Sequence, residues 1–176
     1  MFNSGHIEPR WKINEFKTLQ YKYDTHKDTA LLKEYESVGH NMESMTLYNY
    51  FQPNPFPAVV HDYIIPQFAH LDHIGVAINY FKPGQYLPVH VDLFGKYSEV
   101  HGLEDEEITR IIIMLEDSAP GQISQVCDQT IGVWSAGDWF QWDSDDAHAF
   151  YNFSTKDRYA IQLTGTKRQK GLDFNA

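Results

Sequence analysis

The segment Tyr80–Asp92, YFKPGQYLPVHVD, ends in a histidine and an aspartate that are two residues apart. Alternate residues of a β-strand project from the same face, so the side chains of His90 and Asp92 can reach one ion. An imidazole nitrogen and a carboxylate oxygen suit a divalent transition metal. Two ligands hold such an ion poorly, and the pair therefore predicts a metal site only if a third ligand comes from another part of the chain.

The third candidate ligand is His148, which opens the strand-like sequence HAFYNF late in the chain. With His90 and Asp92 it would complete a set of two histidines and one carboxylate. This set leaves three adjacent coordination positions open, a geometry associated with non-haem Fe(II) oxygenases. A second His-x-Asp sequence, at residues 70–72, follows a predicted helix and is expected to have a capping or surface role. The alternatives for the candidate ligands are a polar strand end for the first pair and a buried core histidine for the third.

Arg158 follows His148 by ten residues. We expect strands 147–153 and 158–166 to form a hairpin that pairs Arg158 with Phe153 or Ser154, about 16 Å from the histidine at ~3.3 Å per residue. An extended arginine and a five-carbon diacid each span about 6–7 Å. Arg158 could therefore bind the far carboxylate of a 2-oxoglutarate chelated at the metal, since a guanidinium matches a carboxylate with two hydrogen bonds. The alternative is a solvated charge in the turn.

Composition limits the class of protein. The chain has 176 residues, of which 42% are hydrophobic and 15% aromatic, and its formal net charge is −10. This length suits one domain with a continuous core, and the negative charge disfavours nucleic acid as a partner. The single cysteine, Cys127, excludes an internal disulfide and indicates a reducing compartment. No segment approaches the ~18 apolar residues that cross a bilayer, and the N-terminus lacks the apolar core of a secretory signal. We therefore expect a soluble, cytoplasmic protein without membrane partners, and its oligomeric state stays open.

Hydrophobic periodicity divides the chain into two parts. The first 72 residues show helical spacing at two places: Leu31, Leu32, Tyr35 and Val38, and then, after Pro57, Val59, Val60, Tyr63 and Ile64. The rest is rich in short β-type segments separated by turn sequences, at 74–82, 86–92, 108–115, 131–134, 138–142, 147–153 and 158–166. Many short strands without intervening helices favour a sandwich or barrel. We predict a single domain over 1–176, with a mainly helical support at 1–72 and a β core at 73–168.

The order His-x-Asp, then His, then Arg ten residues later resembles the 2-oxoglutarate- and Fe(II)-dependent dioxygenases. YFKPGQYLPVHVD is similar to the Tyr-x-x-Gly…His-x-Asp segment of prolyl-hydroxylase-like members, and AGDWFQW is similar to their Gly-Asp turn before the distal-histidine strand. WDSDDAHAFYNFSTKDRYAIQL is similar to the distal segment of aspartyl/asparaginyl hydroxylases, a group that lacks the proximal His-x-Asp. The resemblance covers about residues 74–166.

The resemblance implies a mainly β fold, a double-stranded β-helix (jelly-roll, cupin-like) core with N-terminal helices packed on one sheet. It implies that His90, Asp92 and His148 hold Fe(II) and that Arg158 binds 2-oxoglutarate. Tyr80 would hydrogen-bond the 2-oxoglutarate carboxylate or, equally, pack in the core.

Two further residues are candidates for contact with substrate or cosubstrate. Arg110 opens RIIIML at a position where relatives often carry an arginine. Trp142 belongs to a tryptophan group expected mainly in the core, although a tryptophan at the barrel mouth would shape a substrate pocket.

The implied reaction is hydroxylation of an amino-acid side chain, of the prolyl or aspartyl/asparaginyl type, in a peptide or a small metabolite. It would consume O2 and 2-oxoglutarate and release succinate and CO2. The alternative is a cupin-like module that binds a metal or a small acid without oxygenase activity; such a module has no need of Arg158.

Overall fold

The computed structural model describes residues 2–25, 29–51, 54–102 and 108–167 of the chain. These residues form two antiparallel β-sheets with short helices around them. The strands are β1 (Asn3–His6), β2 (Lys22–Thr25), β3 (Thr46–Phe51), β4 (Leu71–Phe81), β5 (Tyr86–His90), β6 (Ile108–Met114), β7 (Gln122–Val126), β8 (Gln129–Ile131), β9 (Asp138–Asp143), β10 (His148–Asn152) and β11 (Arg158–Lys167). The larger sheet has the order β1-β9-β6-β11-β4-β3-β2, and the smaller one has the order β5-β10-β7-β8.

One apolar core joins the facing sides of the two sheets. Its largest members on the larger sheet are Phe81, Met114, Phe140 and Trp142, and Phe150 meets them from the smaller sheet. Side chains alternate along each strand, so every second residue of β6, β9 and β11 enters this interior. Two antiparallel sheets that face each other across one core are consistent with a double-stranded β-helix, which confirms the predicted mainly β fold class.

The outer face of the larger sheet is covered by the N-terminal helical segments. These are helix α1 (Ile13–Lys17), a π-helical turn (Val60–Ile64) and a 3-10 turn (Ile65–Phe68). They bury Phe16, Val60, Ile64 and Phe68 against Ile111, Ile113, Ile161 and Leu163 of the sheet. The sequence patterns did not predict that the first 72 residues also supply β1, β2 and β3 to this sheet.

Of the two other helices, the first packs beside the smaller sheet and the second contacts β4 of the larger sheet. Helix α2 (Thr29–Ser37) carries Leu32, which packs with Met45 and Tyr86. Helix α3 (Gly95–His101) follows the first candidate ligands, and its Tyr97 hydroxyl donates a hydrogen bond of 2.6 Å to the carbonyl oxygen of His73. Among the described helices, none has the length and apolar character needed to cross a membrane.

The predicted hairpin between residues 147–153 and 158–166 is wrong. β10 and β11 lie in different sheets, and Arg158 pairs with Phe81 of β4. The connection crosses between the sheets because Asn152 ties it to the larger one: its side-chain amide donates to the carbonyl oxygen of Phe81 at 2.9 Å. The Ser154 hydroxyl in turn donates to the Asn152 side-chain oxygen at 2.7 Å.

The prediction of a strand at 131–134 is correct only at its first residue. The strand there is β8, which ends at Ile131, and Trp134 turns into the core instead. Its backbone N–H donates to the Ser118 hydroxyl at 3.1 Å. β7 was not predicted because its sequence, QISQV, is too polar to read as a strand.

Gly137, in the Gly-Asp turn before β9, offers a test of this fold. It has φ +91, and a Cβ there would collide with the carbonyl oxygen of Ile7, which follows β1. Gly137→Ala should lower the free energy of unfolding by more than about 1 kcal/mol, because of the left-handed backbone and the collision. The matched control is Gly132→Ala, where no atom lies within 4 Å of the added Cβ. Urea unfolding that gives equal stability for both variants would contradict this account of the turn.

Candidate metal centre

The candidate ligands come together at one end of the barrel. His148 opens β10 and is the register partner of His90, the last residue of β5. Asp92 lies two residues beyond His90 and points to the same side. One ligand atom from each of the three residues lies within 4.8 Å of the other two. Within the described ranges, this is the single group of three or more histidine, cysteine, aspartate or glutamate side chains with such spacing.

Backbone carbonyls orient both imidazoles. The His90 Nδ1 lies 2.8 Å from the carbonyl oxygen of Pro88, and the His148 Nδ1 lies 3.0 Å from that of Asp146. A carbonyl oxygen only accepts hydrogen bonds, so each Nδ1 must carry the proton. In the neutral tautomer each Nε2 then carries the ring's lone pair on the side of the carboxylate, and metal-binding histidines are usually held in the same way.

The three side chains form an arrangement that could hold a cation. The His148 Nε2 lies 3.3 Å from Asp92 Oδ2, and the His90 Nε2 lies 3.9 Å from Asp92 Oδ1. These side chains are only 2–13% exposed, so water screens them poorly. Neutral imidazoles in this tautomer oppose lone pairs to a carboxylate, and a divalent ion shared by the three groups would remove that repulsion.

Arg110 was predicted to contact substrate or cosubstrate, and it lies beside Asp92. Its Nη1 donates to Asp92 Oδ1 at 2.9 Å, and its guanidinium carbon lies 4.8 Å from the centre of the Phe94 ring. Burial lowers the pKa of Arg110, and the charge of Asp92 opposes that effect. Arg110 thus holds one carboxylate oxygen while the other faces His148.

Arg158 is buried, with 3% of its surface exposed, and so it is not a solvated turn residue. Its Nη1 donates to the carbonyl oxygens of Ile123 and Tyr151 at 2.8 and 3.2 Å, and its Nη2 donates to the Ser124 hydroxyl at 2.6 Å. Its Nε has no hydrogen-bond partner, and no carboxylate of the described residues forms a salt bridge with it. Burial lowers the pKa of Arg158 to about 9, so the side chain is still a cation at neutral pH.

The Phe150 ring lies between Arg158 and the candidate metal centre. Its centre is 5.3 Å from the Arg158 guanidinium carbon and 5.7 Å from the centre of the His148 ring. Trp134 and Phe81 also contact the guanidinium, at 4.8 and 5.6 Å. The arginine and the candidate ligands therefore share one aromatic-lined interior, although the hairpin that was expected to join them does not form.

Two roles of equal weight were predicted for Tyr80, a cosubstrate contact or core packing, and the structure places it in the outer core. Its ring stacks on Tyr159 at 4.6 Å and contacts Tyr21 at 5.3 Å, in the layer covered by the N-terminal segments. The pairing of Arg158 with Phe81 explains this, because neighbouring residues of a strand face opposite sides of the sheet. Phe81 enters the barrel, and Tyr80 consequently faces away from Arg158 and the candidate ligands.

Trp142 was proposed for a substrate pocket, and it forms a buried wall of the site. It is 1% exposed, and its ring lies 4.7 Å from the His148 ring and 5.8 Å from the Phe150 ring. Its indole Nε1 is buried without a hydrogen-bond partner.

Comparisons with known proteins identify the fold. No protein-family model matches the chain, and no curated protein matches it in sequence. A prolyl-4-hydroxylase from Pseudomonas putida is similar in structure, with a TM-score of 0.53 and 12% identity over 89% of this chain and 97% of that one. A protein described as a predicted oxalate decarboxylase, from Thermotoga maritima, gives 0.47 and 11% over 85% and 95% of the two chains. A cupin domain from Bordetella pertussis gives 0.40 and 8% over 66% and 90%. At 12% identity, the likeness to the prolyl-4-hydroxylase indicates a shared fold alone.

A histidine substitution tests the metal centre. His148→Ala should weaken the binding of Co(II) by more than about 100-fold, because it removes a ligand whose ring is already oriented. The control is His70→Ala, which changes the exposed histidine of the second His-x-Asp sequence and should leave affinity unchanged. Visible absorption of bound Co(II) measures both. Equal affinity in the two variants would exclude His148 as a ligand.

Proposed function

We propose that this protein is a 2-oxoglutarate- and Fe(II)-dependent dioxygenase that hydroxylates an amino-acid side chain. One observation carries the proposal: a buried arginine without a carboxylate partner among the described residues lies one aromatic ring away from two histidines and an aspartate. Such a site combines the ligands of a divalent ion with a receptor for an acid that extends from that ion.

An anionic ligand would compensate the buried positive charge of Arg158. A buried charge is costly unless it is paired, and three hydrogen bonds to uncharged oxygens compensate only part of that cost. A carboxylate could use the unpaired Nε–H together with an N–H of Nη2, the two-pronged contact that arginine favours. The acid therefore gains affinity from a charge that the fold has already desolvated.

His90, Asp92 and His148 would hold Fe(II), since two histidines and one carboxylate are the ligand set of non-haem iron oxygenases. When bound, the ferrous ion and 2-oxoglutarate would supply the oxidising chemistry, which converts O2 and the keto-acid into succinate, CO2 and a hydroxylated substrate. The chain itself orients the two Nε2 atoms through the carbonyls of Pro88 and Asp146. Trp142 and Phe150 are buried next to His148 and would line this part of the interior with apolar surface.

The substrate class is a proposal that rests on the resemblance to prolyl and aspartyl/asparaginyl hydroxylases. A proline or aspartate side chain in a peptide, or a small amino-acid metabolite, fits that chemistry. The net charge of −10 argues against a nucleic-acid substrate.

The second candidate is a cupin-like module that binds a metal or a small acid without oxygenase activity. Two observations favour it. The donors of Arg158 already serve Ile123, Tyr151 and Ser124, as they would in a purely structural role. In addition, a cavity of about 480 Å³ lies at the Arg158 end of the barrel, and none of the three candidate ligands lines it.

Anaerobic spectroscopy separates the two candidates. Addition of 2-oxoglutarate to the protein with Fe(II) should give the weak visible charge-transfer band of a chelated keto-acid, and Arg158→Ala should need a much higher acid concentration to develop it. Absence of the band in the wild-type protein would rule out the oxygenase.

Arg158→Lys tests the two-pronged contact. A lysine keeps the charge but not the planar fork, so the concentration of 2-oxoglutarate needed for half-maximal succinate release should rise by about tenfold or more. Arg10→Lys is the control, since Arg10 is exposed and stacks on Tyr63. If both variants keep the wild-type dependence, Arg158 does not bind the acid.

A further inference from the structure

The indole N–H of Trp142 is a buried hydrogen-bond donor without a partner. The residue is 1% exposed, and its Nε1 makes no hydrogen bond with the described residues. A buried donor without an acceptor costs about 1–3 kcal/mol relative to one that is satisfied. Such atoms are uncommon in native proteins, and at a binding site they indicate an acceptor that arrives with the ligand.

The location of Trp142 identifies which end of the ligand it would meet. Its ring is 4.7 Å from the ring of His148, whereas Arg158 lies on the other side of Phe150. Trp142 is therefore next to the candidate metal centre and not at the arginine end of the barrel.

Arg110 supports the same placement. It is the register partner of Trp142 on β6, so both side chains enter the barrel next to each other. Its Nη1 is paired with Asp92, but its buried Nε has no partner either. Two unpaired N–H groups from neighbouring strands beside one metal centre suit an anionic oxygen, in particular that of a carboxylate.

We propose that Trp142 is a specificity-determining residue whose indole N–H donates a hydrogen bond to the carboxylate at the metal end of the bound acid. This inference rests on the proposed function and extends it. Arg158 would bind the far carboxylate of the acid, and Trp142 would donate a hydrogen bond to the near one. A phenylalanine at position 142 could line the same wall but could not donate this hydrogen bond.

The test measures acid affinity in protein loaded with Mn(II), by isothermal titration calorimetry. Trp142→Phe should weaken the binding of 2-oxoglutarate by about 10- to 100-fold, the usual effect of losing a hydrogen bond to a charged group. The matched control is Trp139→Phe on the same strand, because Trp139 lies on the opposite face, against the outer core. It should leave affinity within about twofold of wild type.

A second acid distinguishes the contacts made with the near carboxylate from those made with the far one. 2-Oxovalerate has the same chain length and the same near carboxylate, but it lacks the far one. Trp142→Phe should weaken the binding of both acids, whereas Arg158→Met should weaken only that of 2-oxoglutarate. The inference is overturned if Trp142→Phe binds both acids as wild type does. If the wild-type protein binds neither acid, the proposed function fails first.

A side chain of nearly equal shape separates the loss of the hydrogen bond from a loss of packing at position 142. In 3-benzothienyl-alanine at position 142, a sulfur replaces the N–H while the bicyclic ring is kept. This variant should lose acid affinity to the same degree as Trp142→Phe, and its Tm without ligand should be equal to or above that of wild type, because an unsatisfied buried donor is gone. Unchanged acid affinity in this variant would assign Trp142 a packing role alone.

Discussion

Charge inside an apolar barrel is the constraint on which the rest of this structure depends. The space between the two sheets is filled by aromatic and aliphatic side chains, yet it also holds Asp92, Arg110 and Arg158. At one end the carboxylate is shared by Arg110 and two imidazoles, and at the other end Arg158 meets only uncharged oxygens. Charges are kept in such surroundings only when other groups compensate them. Arg110 compensates the charge of Asp92 at one end, whereas Arg158 has no carboxylate partner among the described residues at the other. We propose that a metal ion binds beside Asp92 and that an anion binds beside Arg158.

The antiparallel pairing of β10 with β5 brings the candidate ligands together. It sets His148 opposite His90, and the loop from Asp143 to Asp146 presents the carbonyl that fixes the His148 tautomer. That loop is closed by its own aspartates, since the backbone N–H of Asp143 donates to Asp146 Oδ2 at 3.0 Å. This acidic segment thus positions a candidate ligand through a backbone carbonyl and not through its carboxylates.

Much of the fold and the candidate ligands could be predicted from the sequence, because both depend on local signals. Runs of apolar and aromatic residues, with turn sequences such as Pro83-Gly84 and Gly137-Asp138 beside them, mark β4, β6, β9 and β11 to within a few residues. Other features depend on pairing between distant strands, which no local pattern encodes. The two roles left open for Tyr80 could not be separated, because the register of Phe81 with Arg158 decides which side of the sheet Tyr80 faces. The predicted hairpin was wrong because Asn152 ties the connection to the other sheet. The unpaired donors of Arg158 and Trp142 could not be predicted either, because they depend on neighbours from distant strands.

Anomalous diffraction from a crystal grown with Mn(II) tests the central claim most directly. We expect one strong anomalous peak within about 2.0–2.3 Å of the Nε2 atoms of His90 and His148 and of a carboxylate oxygen of Asp92, as ordinary metal–ligand distances require. Arg110 should still contact the other oxygen of that carboxylate. A peak at another place, or a map in which these three side chains surround no metal at saturating Mn(II), would contradict the account.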